Sequence, residues 1–305
     1  MSATFALALD AAHAAAASQH YPLGALYVVA TPIGNLADIS LRALHVLTVV
    51  DCVACEDTRH TQSLLRAYGV DKAAHQLLAL HQHNEAQNAQ LVIERLRLGQ
   101  RIAYVSDAGT PAISDPGARL VAAVRAQGLV ALALPGASSV TAALSVAGIA
   151  ADQADSGQFV FAGFLSPKAT VRASEVAALA REPRAVVLLE APHRIEALAA
   201  ALAALGDRPV TISRELTKQF EETATVHAGA MTAWLQEQPN RTRGEFVLVL
   251  HPIAVPADAA SEQRVLALLL AELPLKTAVK LTAEITGAPR NALYETALAL
   301  RRPTP

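Results

Sequence analysis

The sequence predicts an α/β protein made of two α/β domains followed by a small helical domain. Short apolar runs, typical of buried strands, alternate with amphipathic stretches typical of helices over most of the chain. Such alternation predicts parallel strand–helix–strand units with right-handed crossovers. Residues 261–302 show helical patterns only, so we expect them to form a separate helical domain.

The first α/β domain is predicted over residues 25–147, after an N-terminal extension. Its five predicted strands cover residues 26–30, 52–55, 77–80, 102–106 and 129–134. Helices are expected from a cap at Asp38 to about Val49, and at 61–67, 85–98, 118–127 and 140–147.

The second α/β domain is predicted over residues 158–253, because the small and polar residues 148–157 indicate a boundary. Long connections alternate with closely spaced strands here, which favours a mixed sheet. After a proline-containing linker, Ser261 is expected to cap the first terminal helix and Pro274 to end it. Two further helices joined through Gly287 follow the helix-turn-helix pattern. A small packed helical appendage explains the same residues.

Composition narrows the classes of protein that the chain can belong to. Hydrophobic residues make up 52% of the 305 residues, which is ample for buried cores. A formal net charge of -2 means that any nucleic-acid surface must be local. Two cysteines exclude a disulfide framework and favour a reducing compartment. Residues 1–24 lack the basic start of a signal peptide and any membrane span, so we expect a flexible or helical extension on a cytoplasmic protein.

The loop at residues 105–117 is the most informative stretch. It follows a predicted strand, precedes a predicted helix, and contains two glycines, two prolines and two aspartates. Glycine permits close backbone approach and proline stiffens the chain, so this loop can present backbone N–H groups to a ligand. Open α/β sheets bind ligands at this end of their strands. An ordinary strand-to-helix connection with capping aspartates is the alternative.

Two pairs of potential metal ligands have simpler interpretations, and we expect no metal site. Cys52 and Cys55 form a C-x-x-C pattern, but a strand places them on opposite faces and no second cysteine pair exists. His81 and His83 precede Asn84, which reads as the cap of a helix.

Three polar clusters follow predicted strands and point to a cleft between the two domains. They begin at Glu56, Glu190 and Arg214. Two acids beside an arginine suit a general base with a phosphate anchor, although a helix cap with an ion pair explains Glu56–Arg59 equally well. The dinucleotide fingerprint, the Walker A loop and the serine elbow are absent from the sequence, which argues against dehydrogenases and serine hydrolases.

Taken together in order, these motifs resemble one family. They are YVVATPIGNLADIS from Tyr27, CEDTRHT from Cys55, LHQHNE from Leu80, VSDAGTPAISDPG from Val105, LPG from Leu134, EAPHR from Glu190 and RELTK from Arg214. The sequence is similar in these motifs to ribosomal RNA small subunit methyltransferase I, of the tetrapyrrole-methylase superfamily. That resemblance implies S-adenosylmethionine as cofactor, a cytidine ribose 2′-hydroxyl of decoding-centre 16S rRNA in the small ribosomal subunit as acceptor, and a homodimer.

The resemblance also implies which residues bind and react. The cofactor would contact the strand ends and loops of the cleft, namely Pro32, Asp107, Gly109, Thr110, Ile113, Pro135, Gly136, Ala137, Ser138, Leu189 and Glu190. Because a ribose hydroxyl is a poor nucleophile at neutral pH, catalytic help is expected from Glu56 or Asp57 together with His193. Phosphate contacts are expected from Arg59, Lys168, Arg194 and Lys218.

Two other functions remain compatible with the sequence. A methyltransferase acting on a tetrapyrrole would share the fold, but an aromatic content of 4% leaves little to stack on a macrocycle. A ribosome-assembly factor that has lost its cofactor would also share the motifs. Cofactor binding and transfer of a labelled methyl group distinguish the three.

Overall fold

Parallel strands form the first of two five-stranded sheets, as the strand–helix alternation predicts. The computed structural model describes residues 5–80, 85–113, 117–149, 157–253 and 259–301. The first sheet has the order β3-β2-β4-β1-β5, and every pairing in it is parallel. Its strands are β1 (Ala25–Val29), β2 (Cys52–Cys55), β3 (Leu77–Ala79), β4 (Ile102–Val105) and β5 (Val130–Leu134).

The helices of the N-terminal half connect these strands. They are α1 (Ala6–Ala16), α2 (Leu41–Val49), α3 (Thr58–Ala67), α4 (Glu85–Arg97), α5 (Gly117–Ala126) and α6 (Ser139–Val146). Ser40 caps α2 by accepting a hydrogen bond from the amide of Ala43, whereas Asp38 lies in a preceding turn, so the predicted cap at Asp38 is wrong. Ser40 directly precedes the helix, so its hydroxyl can accept a hydrogen bond from an amide of the first turn. Asp38 lies two residues further back and is not in the capping position.

Part of the predicted flexible extension is helical. Within residues 1–24, α1 packs against α2, and Ala12 and Ala16 are buried in the core beside Tyr21. Small side chains let the two helices approach closely, so the alanine-rich composition serves packing here.

The second sheet is mixed, as the spacing of its strands predicts. Its order is β6-β7-β10-β8-β9, with β6 and β7 parallel and the remaining pairs antiparallel. The strands are β6 (Phe159–Gly163), β7 (Ala185–Glu190), β8 (Pro209–Arg214), β9 (Glu222–His227) and β10 (Phe246–Leu250), and the helices are α7 (Ala169–Leu179), α8 (Ile195–Leu202) and α9 (Met231–Gln236).

Helix α6 joins the two halves, although by chain order it belongs to the first. Val140, Ala143 and Ala147 pack in one buried cluster with Val187 of β7 and Val249 of β10. Both sheets lie in one compact unit, Met1–Ala180 with Arg184–Pro252. Most of the predicted boundary at 148–157 falls outside the described residues.

The remaining unit comprises Arg181–Pro183 and Ile253–Pro305, and it contains three helices. These are α10 (Ala259–Glu272), α11 (Leu275–Thr286) and α12 (Arg290–Arg301). Gly287 ends α11 in the left-handed conformation, as expected of a glycine after a helix. Leu266, Val279 and Leu293, one from each helix, belong to the small hydrophobic core of this helical unit. Helix α10 begins before Ser261, so this serine is not its cap.

Both cysteines of the sequence lie in strand β2. Cys52 and Cys55 are free and buried, and they belong to the cores on opposite faces of the first sheet, as predicted for a strand. Within the described ranges, no helix combines the length and the apolarity that a membrane crossing needs. His81 and His83 lie outside the described residues, as do Asn84 and three residues of the 105–117 loop, Ser114 to Pro116.

Candidate active site

A cavity of about 240 Å³ lies where the loop after β4 meets the start of α6 and the ends of β6 and β7. Loops at the carboxyl ends of strands therefore build it, as the sequence predicts. Its lining comprises Glu56, Ser106, Asp107, Ala108, Gly109, Thr110, Ile113, Ser138, Ser139, Val140, Phe161 and Leu189.

The loop after β4 is held in place by the segment that follows β1. The amides of Thr31 and Gly109 each donate to the other residue's carbonyl at 3.0 Å. Gly109 has φ +81°, and a Cβ on it would lie 3.2 Å from Cγ2 of Ile33. Ala112, with φ 67°, also occupies the left-handed region, which is uncommon for a residue with a side chain. The backbone of this loop is therefore held in a specific and partly strained shape.

A second contact ties this loop to the one that follows β5. Thr110 donates its hydroxyl to the carbonyl of Ala137 at 3.0 Å. Gly136 allows that loop to approach the first strand end, since a Cβ on Gly136 would lie only 2.9 Å from Cβ of Ala30. Pro32 is buried nearby and Pro135 is exposed. Loops after three strands are thus interlocked around the cavity.

The second half supplies an apolar wall. Phe161 of β6 and Leu189 of β7 line the cavity opposite the polar loop. Side chains alternate along a strand, so the neighbouring Glu190 points to the other face of the sheet. Of the two residues predicted at this strand end, the structure brings only Leu189 to the cavity.

Glu56 and His60 hold the backbone of Asp107 from both sides. The amide of Asp107 donates to Oε1 of Glu56 at 3.3 Å, and Nε2 of His60 lies 3.1 Å from the carbonyl oxygen of Asp107. Glu56 is the member of the predicted catalytic set that lines the cavity. Because this carboxylate faces the cavity, it can contact both a cationic ligand and a substrate hydroxyl.

Asp57 caps helix α3. Its Oδ1 accepts hydrogen bonds from the amides of Arg59 at 2.8 Å and of His60 at 3.4 Å. These bonds, with the Arg59 guanidinium 3.3 Å away, lower the pKa of Asp57. A carboxylate with a lowered pKa is a weaker base, so its contacts fit capping better than proton abstraction. The side chain of Arg59 is 91% exposed.

The buried Glu190 and the half-buried Arg194 form an ion pair away from the cavity lining. Nε of Arg194 lies 3.0 Å from Oε1 of Glu190, and Arg194 also donates to the carbonyl of Leu165. Oε2 of Glu190 is buried and has no hydrogen-bond partner among the described residues. The pair fixes the turn after β7, which leaves Arg194 poorly placed to hold a phosphate.

Lys218 is likewise engaged within the protein. Its ammonium lies 2.9 Å from Glu215 and 3.2 Å from Glu245. Burial alone would lower the pKa of Lys218, but the bonds to these two carboxylates outweigh it and raise the pKa. The segment after β8 that carries Lys218 packs against Gly34, where a Cβ would lie 2.4 Å from Cγ of Lys218.

Lys168 and His193 are exposed on the second half. Over the described ranges, neither side chain has a hydrogen bond or an ion pair. Neither lines the cavity. Of the four predicted phosphate contacts, Lys168 and Arg59 are exposed, although Arg59 also contacts the Asp57 carboxylate, whereas Arg194 and Lys218 are less exposed and bound to carboxylates.

Several cavity residues carry no chemical signal in the sequence. Val140 and Phe161 read as ordinary core residues, and they reach the cavity only through the packing of α6 on the second sheet. His60 carries no such signal either, because it lies in the first turn of α3 whereas Glu56 lies outside that helix, so helical spacing does not relate the two residues.

These features define a class. Residues 25–232 match the family Tetrapyrrole (Corrin/Porphyrin) Methylases. The cobalt precorrin-4 methyltransferase of cobalamin biosynthesis has a similar structure, with a TM-score of 0.55 and 17% identity over 76% of this chain and 98% of its own. Diphthine synthase aligns with a TM-score of 0.54 and 16% identity over 74% of this chain and 90% of its own. The fold is therefore that of the tetrapyrrole methylases.

Residues 256–301 match the RsmI C-terminal HTH domain. A ribosomal RNA small subunit methyltransferase I from Escherichia coli O157:H7 is 46% identical over 90% of this chain and 95% of its own length. Proteins of the same name from Xylella fastidiosa and Pseudomonas aeruginosa are 45% and 44% identical over 89% and 90% of this chain, and over 98% and 97% of their own lengths. The chain belongs to the ribosomal RNA small subunit methyltransferase I family.

Methyltransferases of this fold use S-adenosylmethionine, and the cavity suits that cofactor. The carboxylates of Glu56 and Asp107 complement a positively charged sulfonium, and Ile113, Phe161 and Leu189 offer apolar surface to an adenine ring. Gly109 and Gly136 lie where a Cβ would crowd a neighbouring side chain, so these loops adopt backbone paths that glycine alone permits.

Proposed function

We propose that this protein transfers a methyl group from S-adenosylmethionine to the ribose 2′-hydroxyl of a cytidine in 16S rRNA, within the small ribosomal subunit. The observation that carries the proposal is a cavity built from interlocked backbone loops with a carboxylate at its edge. The relatives' name supplies the substrate class, small-subunit ribosomal RNA.

We assign cofactor binding to the loops that line the cavity and those that support them. Asp107, Gly109, Thr110, Ile113, Ser138 and Leu189 line the cavity, and Pro32, Pro135, Gly136 and Ala137 support the loops. Glu190 takes part through its backbone, because its side chain is paired with Arg194. Well-oriented reactants gain about 7–11 kcal/mol over free ones, so rigid loops contribute to the rate by positioning.

The bound cofactor supplies an activated methyl group, and the protein must remove the proton of the acceptor hydroxyl. We assign this step to Glu56, whose carboxylate faces the cavity. The ribose oxygen would lose its proton to that carboxylate and form a bond to the methyl carbon as the bond from that carbon to sulfur breaks. The positive charge on sulfur and the negative charge on the carboxylate are both neutralised, and a neutral thioether remains, so charge and atoms balance. Asp57 supports the step by capping α3, which carries His60. His193 is the alternative proton acceptor.

Three substitutions separate these roles. Glu56→Gln keeps an oxygen that can accept the amide of Asp107 but cannot take a proton, so we expect single-turnover methyl transfer to fall by about 10²–10⁴-fold. Asp57→Ser keeps a helix cap without a carboxylate and should retain the rate. His193→Gln tests the alternative. An unchanged rate for Glu56→Gln, with a slow His193→Gln, would transfer the role to His193.

The acceptor atom can be read directly from the product. A 2′-O-methyl group blocks alkaline cleavage of the adjacent phosphodiester, so labelled methyl should be recovered in an alkali-resistant dinucleotide beginning with cytidine. Label on a base, or on a tetrapyrrole offered in parallel, would refute the proposed acceptor.

The folded particle is the form of substrate that this protein should prefer. A net charge of -2 gives little general attraction to naked RNA, whereas Arg59 and Lys168 offer local positive charge. We expect small subunits to be methylated faster than free 16S rRNA. Arg59→Ala should weaken binding and reduce its salt dependence by about one released ion.

A further inference from the structure

A second cavity, of about 250 Å³, lies at the same edge of the second sheet as the first. Arg214, Glu215, Phe220, Asn240, Arg243 and Gly244 line it. In the sheet register, Glu190 pairs with Phe246, which in turn pairs with Arg214. Arg214 is therefore two strands away from the end of β7, or about 10 Å.

An aromatic ring and a cation are available in this cavity. Phe220 is 68% exposed, so its ring is accessible to a ligand in the cavity. Arg243 is exposed, and no side-chain partner for it is found over the described residues. The exposed amide side chain of Asn240 adds both donors and an acceptor.

The other charged residues of the lining are paired within the protein. Arg214 lies 3.3 Å from a carboxylate oxygen of Glu222, and Glu215 binds Lys218 at 2.9 Å, a lysine that it shares with Glu245 outside the lining. The lining itself has two arginines and one glutamate, and Arg243 is the cation that binds no side chain in the described part of the chain. Such a lining favours a ligand that combines a flat ring with a negative charge over a cationic or purely apolar one.

The backbone of the cavity is held in unfavourable conformations. Glu215, which lines the cavity, has φ 52°. Thr217, two residues further along the chain and outside the lining, has φ 66°, a clear outlier for a β-branched residue. Gly244, with φ +89°, lets the chain pass so close that a Cβ there would lie 2.4 Å from Cγ of Glu215. Strained backbone persists only where surrounding contacts hold it in place. Such residues occur mainly at active sites and ligand-binding sites.

We propose that this cavity binds an unstacked nucleobase, with its phosphate, next to the nucleotide that is methylated. Single-stranded RNA is recognised by stacking of bases on aromatic rings, with arginine contacting the phosphate and amide groups contacting base edges. Phe220 provides the ring, Arg243 the cation and Asn240 the amide. The inference rests on the proposed function for the identity of the RNA, but not for the chemistry of the cavity.

The full-length protein should be tested with a fluorescent single-stranded fragment of 16S rRNA and with small subunits lacking the modification. Phe220→Ala should weaken binding of the fragment by about 5- to 100-fold and raise KM for the particle, with kcat and cofactor affinity unchanged. Phe220→Trp should retain binding. Arg243→Gln should lower the salt dependence by about one ion.

Matched controls lie at the opposite end of the strands. Phe159 is 45% exposed at the start of β6, and Arg125 is exposed near the end of α5. Phe159→Ala and Arg125→Gln should leave both readouts unchanged.

Equal fragment affinities for the wild type and Phe220→Ala would overturn the inference. So would a loss that appears with the particle alone, since that result identifies a ribosomal protein as the partner. A wild type that binds the fragment through Phe220 but methylates no particle would refute the proposed function and support the nucleobase site.

Discussion

Gly109 provides the sharpest test of the cofactor site. Its φ of +81° lies in the region that disfavours a Cβ, and Gly109→Ala would place that atom 3.2 Å from Cγ2 of Ile33. A residue with a side chain in this region costs about 1–2 kcal/mol. The backbone hydrogen bonds to Thr31, both at 3.0 Å, resist relaxation of the loop.

We expect two measurable effects of Gly109→Ala. The melting temperature should fall by about 2–8 °C, because each kcal/mol corresponds to about 2–4 °C in a protein of this size. Because Ile33 must give way and Gly109 lines the cavity, the lining should shift as well. If the strain of about 1–2 kcal/mol is relieved at the expense of the cofactor site, Kd for S-adenosylmethionine should rise about 5- to 30-fold in calorimetry.

Gly128→Ala is the matched control. Gly128 has φ +70°, and a Cβ there would meet nothing within 4 Å. It follows α5, away from the cavity, so its replacement should lower stability without changing Kd. The reasoning fails if Gly109→Ala loses stability to the same extent as Gly128→Ala and still binds the cofactor like the wild type.

Three further substitutions probe other contacts. Thr110→Val removes the hydroxyl bond to Ala137 and should weaken cofactor binding by about 1 kcal/mol in calorimetry, with recovery in Thr110→Ser. Arg194→Ala leaves Glu190 buried without its cation and should cost about 3–5 kcal/mol in urea unfolding, whereas a loss below about 1 kcal/mol would show that the pair is unimportant. Burial raises the pKa of Cys55 from 9.0 to about 11. Between these values the native state holds the proton that the unfolded state has lost, so the Cys55 thiol should lower stability by about 1.3 kcal/mol from pH 8 to about pH 10, and Cys55→Ala should remove that part of the slope.

Strand positions could be predicted because buried strands read as continuous apolar runs. Phe246–Leu250 is apolar throughout and buried throughout, and Cys52–Cys55 shows the same behaviour. Helix starts were harder to predict where several polar residues compete as caps. Ser40 prevails over Asp38, and α3 begins at Thr58 because Asp57 caps it, three residues earlier than the pattern indicates.

The loops of the candidate site could be anticipated, but the partners of its charged residues could not. The glycines and prolines around Gly109 predict a constrained backbone, and this loop lines the cavity in the structure. By contrast, nothing in the sequence shows that Arg194 meets Glu190, or that Lys218 lies between two carboxylates. Those pairings depend on how turns from separate strands approach each other in three dimensions.

The position of α6 restricts how this protein can move. Val140 lines the cavity, and the buried face of the helix packs with Val187, Val247 and Val249 of the second sheet. A hinge motion that separated the two sheets would pull this helix away from one of them and expose buried valines to solvent. Exchange of spent cofactor for fresh would therefore take place with the two sheets behaving as a fixed frame.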